Sequence, residues 1–505
     1  MINRVLIANR GEIAVRIIQT LREMGIASIS LMTEEEAGLP HTFYADEVIS
    51  LGVGSLRETY LNQDKIIEIA RQTKADAIHP GYGLLSENAE FAHKVESAGL
   101  IFVGPTSVSI QAMGDKIESK KRCQRLGIPL IPGLQAEGLS DEKLVLEAKK
   151  IVPPVLIKAS AGGGGKGMRI VADSDNFNER FSEALGEARR EAKASFGDDR
   201  VFVEKYIQNP RHIEIQVFGD QHGNHVHLFE RECSIQRRYQ KIIEESPSPI
   251  MTEALRSKMT DAALKICRDI NYVGAGTVEF IVSKEGDFFF LEMNTRLQVE
   301  HPVTEWVTGL DLVAWQILVA QGLPLPRKQS EIIHRGHAIE VRLCAEDPDN
   351  AFLPCIGTIL KVMHRNLGPG QRLDTGYQEG NAVSVNFDSL LGKLSVYAPT
   401  RAYAIARMRQ ALKEVCFLGV KNNRDYLGRI LRHPAFSEGK TFTSFVQTFA
   451  QDLLPEVLSL EEEALMLALP VVASKLNILG EKNGNGGDRI LDVFEVIRGN
   501  PIGNL

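Results

Sequence analysis

At 505 residues the chain is too long for a single hydrophobic core, so we expect about three domains. The hydrophobic fraction of 44% and charged fraction of 24% are ordinary for a globular protein, and the net charge of −7 excludes the basic surface of a nucleic-acid-binding protein. Six scattered cysteines without a C-x-x-C pair favour a reducing compartment over a disulfide scaffold or zinc site. The first residues lack a signal-peptide layout, and the apolar run 464–473 is too short to cross a membrane. The sequence therefore predicts a soluble, cytoplasmic protein with no membrane or nucleic-acid partner.

The N-terminal segment alternates strands and helices. "RVLIA" (4–8) is typical of a buried strand, "GEIAVRIIQTLREMG" (11–25) of an amphipathic helix, and "IASISLM" (26–32) of a second strand. This order indicates a parallel α/β sheet, which further alternation extends to about residue 105. The turn "ANRGEI" has one glycine where a dinucleotide-binding fingerprint needs three, so that motif is excluded.

A glycine-rich loop follows in "VLIKASAGGGGKGMRIV" (155–171), where four glycines, 162–165, separate two apolar runs. Backbone N–H groups of such a loop can bind phosphate oxygens. A P-loop is excluded because Gly167, rather than Ser or Thr, follows Lys166. We therefore predict two strands joined by a lid over a nucleotide, with a flexible linker as the alternative. Lys158 favours the lid, because a lysine in a buried strand needs an anionic partner.

Two carboxylates face each other in the predicted hairpin "GTVEFIVSKEGDFFFLEMN" (276–294). If Glu285 and Gly286 form a two-residue turn, Glu279 lies opposite Glu292, with Cβ atoms about 4.5–5.5 Å apart. A divalent cation would relieve the repulsion between them, and Asn294 can add a third oxygen ligand. The hairpin predicts a Mg²⁺ site beside bound ATP, with a solvent-facing polar edge as the alternative.

The stretch "FFFLEMNTRLQVEHPVTE" (288–305) alternates apolar and polar residues as far as residue 300, which predicts a strand with one polar face. Arg296 and Glu300 continue that face beyond the metal ligands. An arginine can hold a planar oxyanion by two hydrogen bonds, and a nearby carboxylate can accept a proton. We expect the reacting group to lie just past the metal.

The last third of the chain begins after the proline-containing linker 322–330. A third segment covers 335–447. Beyond residue 448, "LSLEEEALMLAL" (458–469) predicts a helix and "GEKNGNGGD" (480–488) a flexible loop.

Eight motifs, in one order along residues 1–447, resemble biotin carboxylase, both the free bacterial subunit and the equivalent domain of acyl-CoA and pyruvate carboxylases. They are "IANRGEIA" (7–14), "HPGYGLLSENAEF" (79–91), "MGDK" (113–116), "KASAGGGGKGM" (158–168), "EKYIQNPRHIEIQV" (204–217), "ERECSIQRRYQKIIEE" (230–245), "EMNTRLQVEHPVTE" (292–305) and "GHAIEVRLCAEDP" (336–348). The resemblance implies an α/β fold of three domains. These are an N-terminal parallel-sheet domain (1–115), an ATP-grasp domain (116–330, lid about 132–206) and a C-terminal α+β domain (335–447). An extension over 448–505 resembles the start of a linker to a transferase or carrier region.

The resemblance also implies a role for each matching residue. Those near ATP are Lys116 and Lys158 at the phosphates, Gly164 and Gly165 in the lid, the backbone of Glu204, Lys205, Tyr206 and Ile207 at adenine, and His212 and Gln236 at the ribose. Glu279, Glu292 and Asn294 are the implied Mg²⁺ or Mn²⁺ ligands, in agreement with the hairpin argument. Those near the reacting groups are Lys241, Arg296, Gln298 and Val299 for bicarbonate, Glu300 as the base, Arg342 at the biotin enolate and Tyr82 near the biotin pocket.

The implied activity is that of an ATP-dependent ligase. Bicarbonate attacks ATP to give carboxyphosphate, and biotin on a carrier protein is then carboxylated. The implied partners are that carrier, a carboxyltransferase and a second copy of the chain. No Met-Lys-Met occurs, so the carrier is a separate protein or a domain beyond this chain. Two positions depart from the family, Tyr239 where histidine is usual and Phe387 where tyrosine is common.

Two other functions remain as alternatives at this point. One is a different ATP-grasp ligase, against which the segment around Arg342 argues because it matches the biotin pocket. The other is a silent scaffold, against which the presence of Lys241, Arg296 and Glu300 argues.

Overall fold

The computed structural model describes residues 1–135, 139–159, 167–172, 175–364 and 367–455. Residues Met1–Leu453 form one compact unit, which contains all three predicted domains. The predicted helix at 458–469 and loop at 480–488 lie outside the described residues.

The N-terminal part is a parallel α/β sheet, as predicted. Its elements are β1 (Arg4–Ile7), α1 (Gly11–Glu23), β2 (Ala27–Met32), α2 (Pro40–Tyr44), β3 (Glu47–Ser50), α3 (Gln63–Gln72), β4 (Ala77–His79), α4 (Ala89–Ser97), β5 (Ile101–Phe102) and α5 (Ser107–Gly114). The strand order is β3-β2-β1-β4-β5, and every neighbouring pair is parallel. A short 3₁₀ helix covers Glu34–Glu36.

A small antiparallel sheet includes the strands on either side of the glycine-rich sequence. The elements here are α6 (Lys116–Arg125), β6 (Gly133–Gln135), α7 (Asp141–Lys150), β7 (Val155–Ala159), β8 (Arg169–Val171), α8 (Phe177–Phe196) and β9 (Val201–Lys205). The strand order is β6-β9-β7-β8. β7 and β8 pair on either side of the loop, as predicted, while residues 160–166 themselves lie outside the described chain.

The remaining strands and helices follow in chain order. They are β10 (Arg211–Gly219), β11 (His225–Arg237), β12 (Gln240–Ser246), α9 (Glu253–Asp269), β13 (Gly274–Val282), β14 (Phe288–Asn294), α10 (His301–Thr308), α11 (Leu312–Ala320), β15 (His337–Cys344), β16 (Glu346–Asp347), β17 (Leu353–Pro354), β18 (Gly357–Thr358), β19 (Lys361–His364), β20 (Gln371–Thr375), β21 (Ala382–Val383), β22 (Leu390–Ala398), α12 (Arg401–Glu414), β23 (Val415–Leu418), α13 (Arg424–Arg432), α14 (Pro434–Ser437) and α15 (Phe445–Thr448). A second 3₁₀ helix covers Gln329–Glu331.

One eight-stranded antiparallel sheet runs through this part of the molecule. Its order is β14-β13-β10-β11-β12-β15-β22-β20. The pairing of β12 with β15 joins strands on either side of the predicted linker 322–330. The second and third predicted domains therefore share one continuous sheet.

Alternation separates the two faces of β12, β15 and β22. The apolar face, with Ile243, Ile339, Val341 and Val396, packs in the core that includes α12. The opposite face carries buried polar side chains and is covered by α10, while the start of α1 packs near β20. Gly376 allows this approach, because a Cβ atom there would lie 2.6 Å from the backbone of Gly11 and Glu12.

Within the described residues, no single helix is long and apolar enough to cross a membrane. Among the described helices, the pair α10 and α11 passes that test when taken together, but the two are bent by 95°.

Candidate active site

The site is built on alternating polar residues of β10. Ile213, Ile215 and Val217 are fully buried on one side, and His212, Glu214 and Gln216 point to the other. The polar side chains are also buried, so each needs a hydrogen-bonding or charged partner. The neighbouring strands β11, β12 and β13 supply those partners.

Lys241 on β12 lies at the centre of the site. Its Nζ donates to Glu214 Oε2 at 2.6 Å, to Glu300 Oε1 at 2.7 Å and to Glu279 Oε1 at 2.8 Å. These contacts outweigh burial and raise the pKa of Lys241 well above its ordinary value. The ammonium therefore stays charged and draws three carboxylates from three different elements together.

Arg231 on β11 is the second buried cation. It pairs with Glu214 and also donates to Thr277, to Thr304 and to the Gln298 Oε1 atom. Because that oxygen is occupied, Gln298 presents its Nε2 to Glu279 Oε1 at 2.8 Å. Arg231 thus fixes the orientation of a predicted bicarbonate-binding amide.

Glu300 is the residue that precedes α10, and its carboxylate lies between two cations. Its Oε1 accepts from Lys241, and its Oε2 accepts from Arg342 Nη2 at 2.9 Å. Burial alone raises the pKa of Glu300, but Lys241 and Arg342 outweigh it and hold that pKa below its ordinary value. The predicted base is therefore ionised and able to accept a proton.

The facing carboxylates of the hairpin are present. Glu279 pairs directly with Glu292 across β13 and β14, and Asn294 Nδ2 donates to Glu279 Oε1 at 2.6 Å. Lys116 Nζ lies 3.4 Å from Glu292. Carboxylate and amide oxygens grouped in this way fit a hard cation such as Mg²⁺.

A second group of potential ligands is His212, Glu214 and Glu279, whose ligand atoms all lie within 4.8 Å of one another. The ammonium of Lys241 contacts both carboxylates of this group. A cation is therefore already supplied there by the protein, which favours the side of Glu279 that faces Glu292 as the metal position.

The predicted two-residue turn is wrong. Ser283 N donates to Asp287 O, so the loop has three residues, and Gly286 adopts a φ of 92° within it. The register then shifts between Phe280 and Glu279, which restores the pairing of Glu279 with Glu292. A bulge therefore gives the predicted partner by a different route.

The predicted strand over 288–300 is also too long. β14 ends at Asn294, and residues 295–300 form a loop that leads into α10. The bulge breaks the alternation of buried and exposed residues in β14. The buried residues, Phe290 and Met293, are therefore three positions apart instead of two. Arg296, Gln298 and Glu300 are therefore positioned by side-chain contacts and by α10 rather than by a strand.

Arg296 lies at the open side of the site. Its Nε donates to Glu87 at 2.7 Å, and its Nη1 donates to the carbonyl oxygen of Leu297 at 3.2 Å. Glu87 comes from the N-terminal part of the chain and also accepts from Thr295 N at 3.0 Å. The segment between β4 and α4 thus holds the loop after β14.

Glu204, one of the predicted nucleotide residues, lies between two lysines. Its buried carboxylate pairs with Lys120 and, at 3.0 Å, with Lys158. Glu204 is thus an anionic partner of Lys158, which the sequence required. Lys120 and Glu204, with Ile117, Leu130, Ile131 and Phe202, are among the residues that line a cavity of about 220 Å³. Lys205 is exposed, Tyr206 and Ile207 are half-buried, and Gly164 and Gly165 lie outside the described residues.

The other predicted contacts also find partners. Gln236 Nε2 lies 2.8 Å from His212 Nδ1, which in turn places His212 Nε2 2.7 Å from Glu279. The hydroxyl of Tyr82 donates to Glu12. Lys393 donates to the carbonyl oxygen of Val299 at 2.6 Å and lies 3.2 Å from Glu12.

The two departures from the family lie at different depths. Tyr239 is 53% exposed at the tip of the β11–β12 hairpin, with a φ of 65°. Phe387 packs edge-on to Tyr60, and the guanidinium of Arg10 lies 3.9 Å from its ring centre. Phe387 therefore has a packing role in which a hydroxyl is not needed.

Sequence reasoning missed several residues of the site. They are Glu12, Glu87, Lys120, Glu214, Arg231, Glu244 and Lys393. Charges that alternate with apolar residues in "HIEIQV" and "ERECSIQ" were a usable signal, because a strand buried on both faces carries charge only where a partner exists. Lys393 and Glu12 give no such local signal.

Three family models match consecutive parts of the chain. They are the biotin carboxylase N-terminal domain over residues 1–110, the carbamoyl-phosphate synthase L chain ATP-binding domain over 115–328, and the biotin carboxylase C-terminal domain over 340–448. Together they match most of the compact unit described above.

Two curated relatives differ in length. The mitochondrial methylcrotonoyl-CoA carboxylase subunit alpha of Mus musculus is 46% identical over 467 residues, covering 92% of this chain and 65% of that protein. The biotin carboxylase of Nostoc sp. is 48% identical over 447 residues, covering 88% of this chain and 98% of that protein. The chain thus spans less than two thirds of the first relative and nearly all of the second.

Solved structures have the same fold. The biotin carboxylase domain dimer of Hydrogenobacter thermophilus 2-oxoglutarate carboxylase, in complex with MgADP, ADP and bicarbonate, has a TM-score of 0.86 and 42% identity, covering 90% of this chain and 100% of that one. Campylobacter jejuni biotin carboxylase has a TM-score of 0.85 and 42% identity, covering 89% and 99%.

The predicted cytoplasmic location is wrong. Relatives from Mus musculus, Rattus norvegicus and Glycine max are mitochondrial methylcrotonoyl-CoA carboxylase subunits. The prediction failed because unpaired cysteines indicate a reducing environment without distinguishing one reducing compartment from another.

Proposed function

The chain belongs to the biotin carboxylase family, whose members are ATP-dependent ligases, and we propose that it carboxylates biotin on a carrier protein with ATP and bicarbonate. This is the first half-reaction of an acyl-CoA or pyruvate carboxylase. The observation that carries the proposal is Glu300 held between Lys241 and Arg342 at 2.7 and 2.9 Å. A base between two cations suits the deprotonation of an anionic substrate.

In the first step, Glu300 accepts the proton of bicarbonate. A bicarbonate oxygen forms a bond to the γ-phosphorus of ATP as the bond to the ADP oxygen breaks. Lys241 and Arg296 hold the negative charge of bicarbonate, and the Gln298 amide, fixed by Arg231, orients it. The product of this step is carboxyphosphate.

In the second step, carboxyphosphate separates into CO₂ and phosphate. The phosphate takes the ureido N–H proton of biotin, and the nitrogen forms its bond to CO₂. Arg342 stabilises the charge on the ureido oxygen. Tyr82, held by Glu12, closes the biotin side of the site.

Glu279, Glu292 and Asn294 would hold Mg²⁺ or Mn²⁺, and that ion supplies charge neutralisation at the ATP phosphates. Lys116 and Lys158 add positive charge on the same side. The Glu204 carboxylate keeps Lys158 and Lys120 ordered before nucleotide binds.

We infer three partners for the proposed reaction. A biotin carrier and a carboxyltransferase complete it, either as separate chains or as parts of a longer chain. The Nostoc enzyme, of which the match covers 98%, supports separate chains, and the mouse relative, of which it covers 65%, supports a longer chain. A homodimer is supported by the dimeric Hydrogenobacter thermophilus domain.

The test is ATP cleavage by the purified chain with Mg²⁺ and bicarbonate, with and without free biotin. We expect phosphate release that requires bicarbonate and that biotin stimulates, and a loss of about 100-fold or more in Glu300→Gln. The exposed turn variant Glu285→Gln is the matched control and should keep full activity. Bicarbonate-independent cleavage, or cleavage unaffected by both biotin and biotinylated carrier, would instead indicate another ATP-grasp ligase.

A further inference from the structure

Two buried carboxyl groups face each other behind the proposed active site. Glu244 on β12 pairs directly with Glu340 on β15, and both are 0% exposed. Facing side chains in such a pair have Cβ atoms about 4.5–5.5 Å apart. One oxygen of Glu244 and both oxygens of Glu340 are buried without a hydrogen-bond partner. The roles proposed above leave Glu340 without a function.

The surroundings do not supply enough positive charge for both carboxylates. Arg342 contacts Glu244, and Lys241 lies beyond it in contact with Glu300. On the far side, Lys393 pairs across the sheet with Arg342 and Asp374, and it also contacts Glu12 and Val299. Burial, reinforced by Glu244 and Asp374, raises the pKa of Glu340 well above its ordinary value despite Lys393. Burial also raises the pKa of Glu244, to about 7, despite Arg342.

Arg342 is held from two sides. Its Nε donates to Glu244 Oε1 at 2.6 Å, and its Nη2 donates to Glu300 Oε2 at 2.9 Å. No described residue accepts a hydrogen bond from its Nη1, which is left for an oxygen of the substrate. The orientation of the guanidinium plane is therefore set by Glu244 at Nε and by Glu300 at Nη2.

We propose that Glu244 is the positioning residue of Arg342, and that the facing Glu340 is a protonated, neutral acid that lets Glu244 hold this position. The inference rests on the proposed function, in which Arg342 stabilises the ureido oxygen. If Glu340 were ionised, a third carboxylate beside Glu244 and Glu300 would cancel the charge that Arg342 must offer to the substrate. One proton kept on the Glu244–Glu340 pair leaves the positive charge of Arg342 available to the substrate.

The test compares two activities of the same variants, biotin carboxylation and bicarbonate-dependent ATP cleavage without biotin. Arg342 stabilises the ureido oxygen only in the first activity, whereas Lys241 continues to hold Glu300 in both. Glu244→Leu removes the acceptor of Nε, so we expect carboxylation to fall about 100-fold while ATP cleavage stays within about threefold. Glu244→Gln keeps an acceptor oxygen at the same reach and should restore carboxylation to within about fivefold of the wild type.

Glu244→Asp is a second variant that keeps the charge but withdraws the oxygen from Nε by one methylene. It should lower the ratio of carboxylation to ATP cleavage by about tenfold even if the leucine variant does not fold. Glu245→Leu is the matched control, because Glu245 is the adjacent buried glutamate, and it pairs with His337 and Arg401 on the opposite face. It should lower the melting temperature and leave the ratio unchanged.

A parallel loss of both activities in Glu244→Asp would mean a purely structural role and would overturn the inference. Unchanged carboxylation in Glu244→Leu would overturn it as well. Failure of the proposed function is distinct, because it would be seen in the wild type as ATP cleavage that neither bicarbonate nor biotin stimulates.

Discussion

At the scale of single residues, the site is a set of buried charges that hold one another. Arg231 and Glu214 are both 0% exposed and form an ion pair. Removal of one partner from such a pair leaves an uncompensated buried charge and typically costs about 3–5 kcal/mol. The burial of Lys241, Glu279 and Glu300 follows the same rule. Their shared contacts are therefore a condition for the fold as well as for the chemistry.

At Glu340 the buried negative charge is not fully balanced by neighbouring cations. We therefore expect the stability of the protein to depend on pH at this residue. Its pKa in the folded protein is raised above the ordinary value of 4.5, so the folded state binds this proton more tightly than the unfolded chain. Stability contributed by the proton is present below pH 4.5 and falls as the pH rises toward the raised pKa. Glu340→Gln has no proton to lose and therefore removes this loss of stability at high pH. We expect its melting temperature to exceed that of the wild type by about 2–4 °C at pH 8.5, with a difference that shrinks toward pH 5.5.

Glu245→Gln is the control with the opposite sign. His337 and Arg401 outweigh burial and lower the pKa of Glu245 to about 2. Its contribution is therefore present above pH 4.5 and is lost as the pH falls toward 2, so this variant should melt below the wild type at pH 8.5. A Glu340→Gln variant that also melts below the wild type at pH 8.5 would contradict a neutral Glu340.

At the scale of elements, the β13–β14 hairpin combines a three-residue loop with a bulge. The apolar pattern of "GTVEFIV" and the turn residues predicted the hairpin and the facing of Glu279 and Glu292 correctly. The loop length and the bulge were not predictable. Each shifts the strand register by one residue, and the two shifts cancel at Glu279, so the predicted pairing of Glu279 with Glu292 gives no sign of either. The loop after Asn294 was missed because its alternation imitates a strand, while its contacts to Glu87 and Lys393 are non-local.

The hairpin predicts the effect of Glu292→Gln. The change removes one charge of a facing pair that would hold Mg²⁺, and Glu292 has a 35% exposed side chain, so the fold should tolerate it. We expect ATP cleavage to fall about 100-fold or more, with a melting temperature within about 1 °C of the wild type.

Measurement of Mg²⁺-dependent phosphate release over a range of Mg²⁺ concentrations checks this prediction. Glu90→Gln on the exposed side of α4, whose carboxylate contacts Lys94, is the control for a simple loss of surface charge. Wild-type turnover in Glu292→Gln would remove Glu292 from the metal site.

At the scale of the whole molecule, the eight-stranded sheet joins the segments before and after the linker 322–330. The β12–β15 ladder places Arg342 beside Glu244 and within reach of Glu300. Ile235 and Ile243, from before the linker, belong to the same apolar core as Val341 and Leu394. The site is thus assembled across a boundary that looks like a domain junction in the sequence.

A truncation tests this dependence. A chain that ends at residue 334 loses β15, β20 and β22 and leaves the edge of β12 and its apolar face uncovered. We expect it to be insoluble or to lack a cooperative thermal transition. A chain that ends at residue 455 keeps the compact unit Met1–Leu453 and is the control, with a melting temperature close to that of the full chain. A soluble, cooperatively folding 1–334 fragment would contradict the dependence.

The sequence alone determined the family and those elements that depend on local pattern. Local periodicity predicted β1, α1 and β2, the strands on either side of the glycine loop, and the facing of Glu279 with Glu292, because these depend on residues close together in the chain. Only the tertiary structure decided which cations meet Glu300. Lys241 and Arg342 lie 59 and 42 residues from it, and they converge because β12 pairs with β15 while α10 packs across both strands. Strand order fixes such meetings, and the pattern within any one strand does not encode which strand will lie beside it.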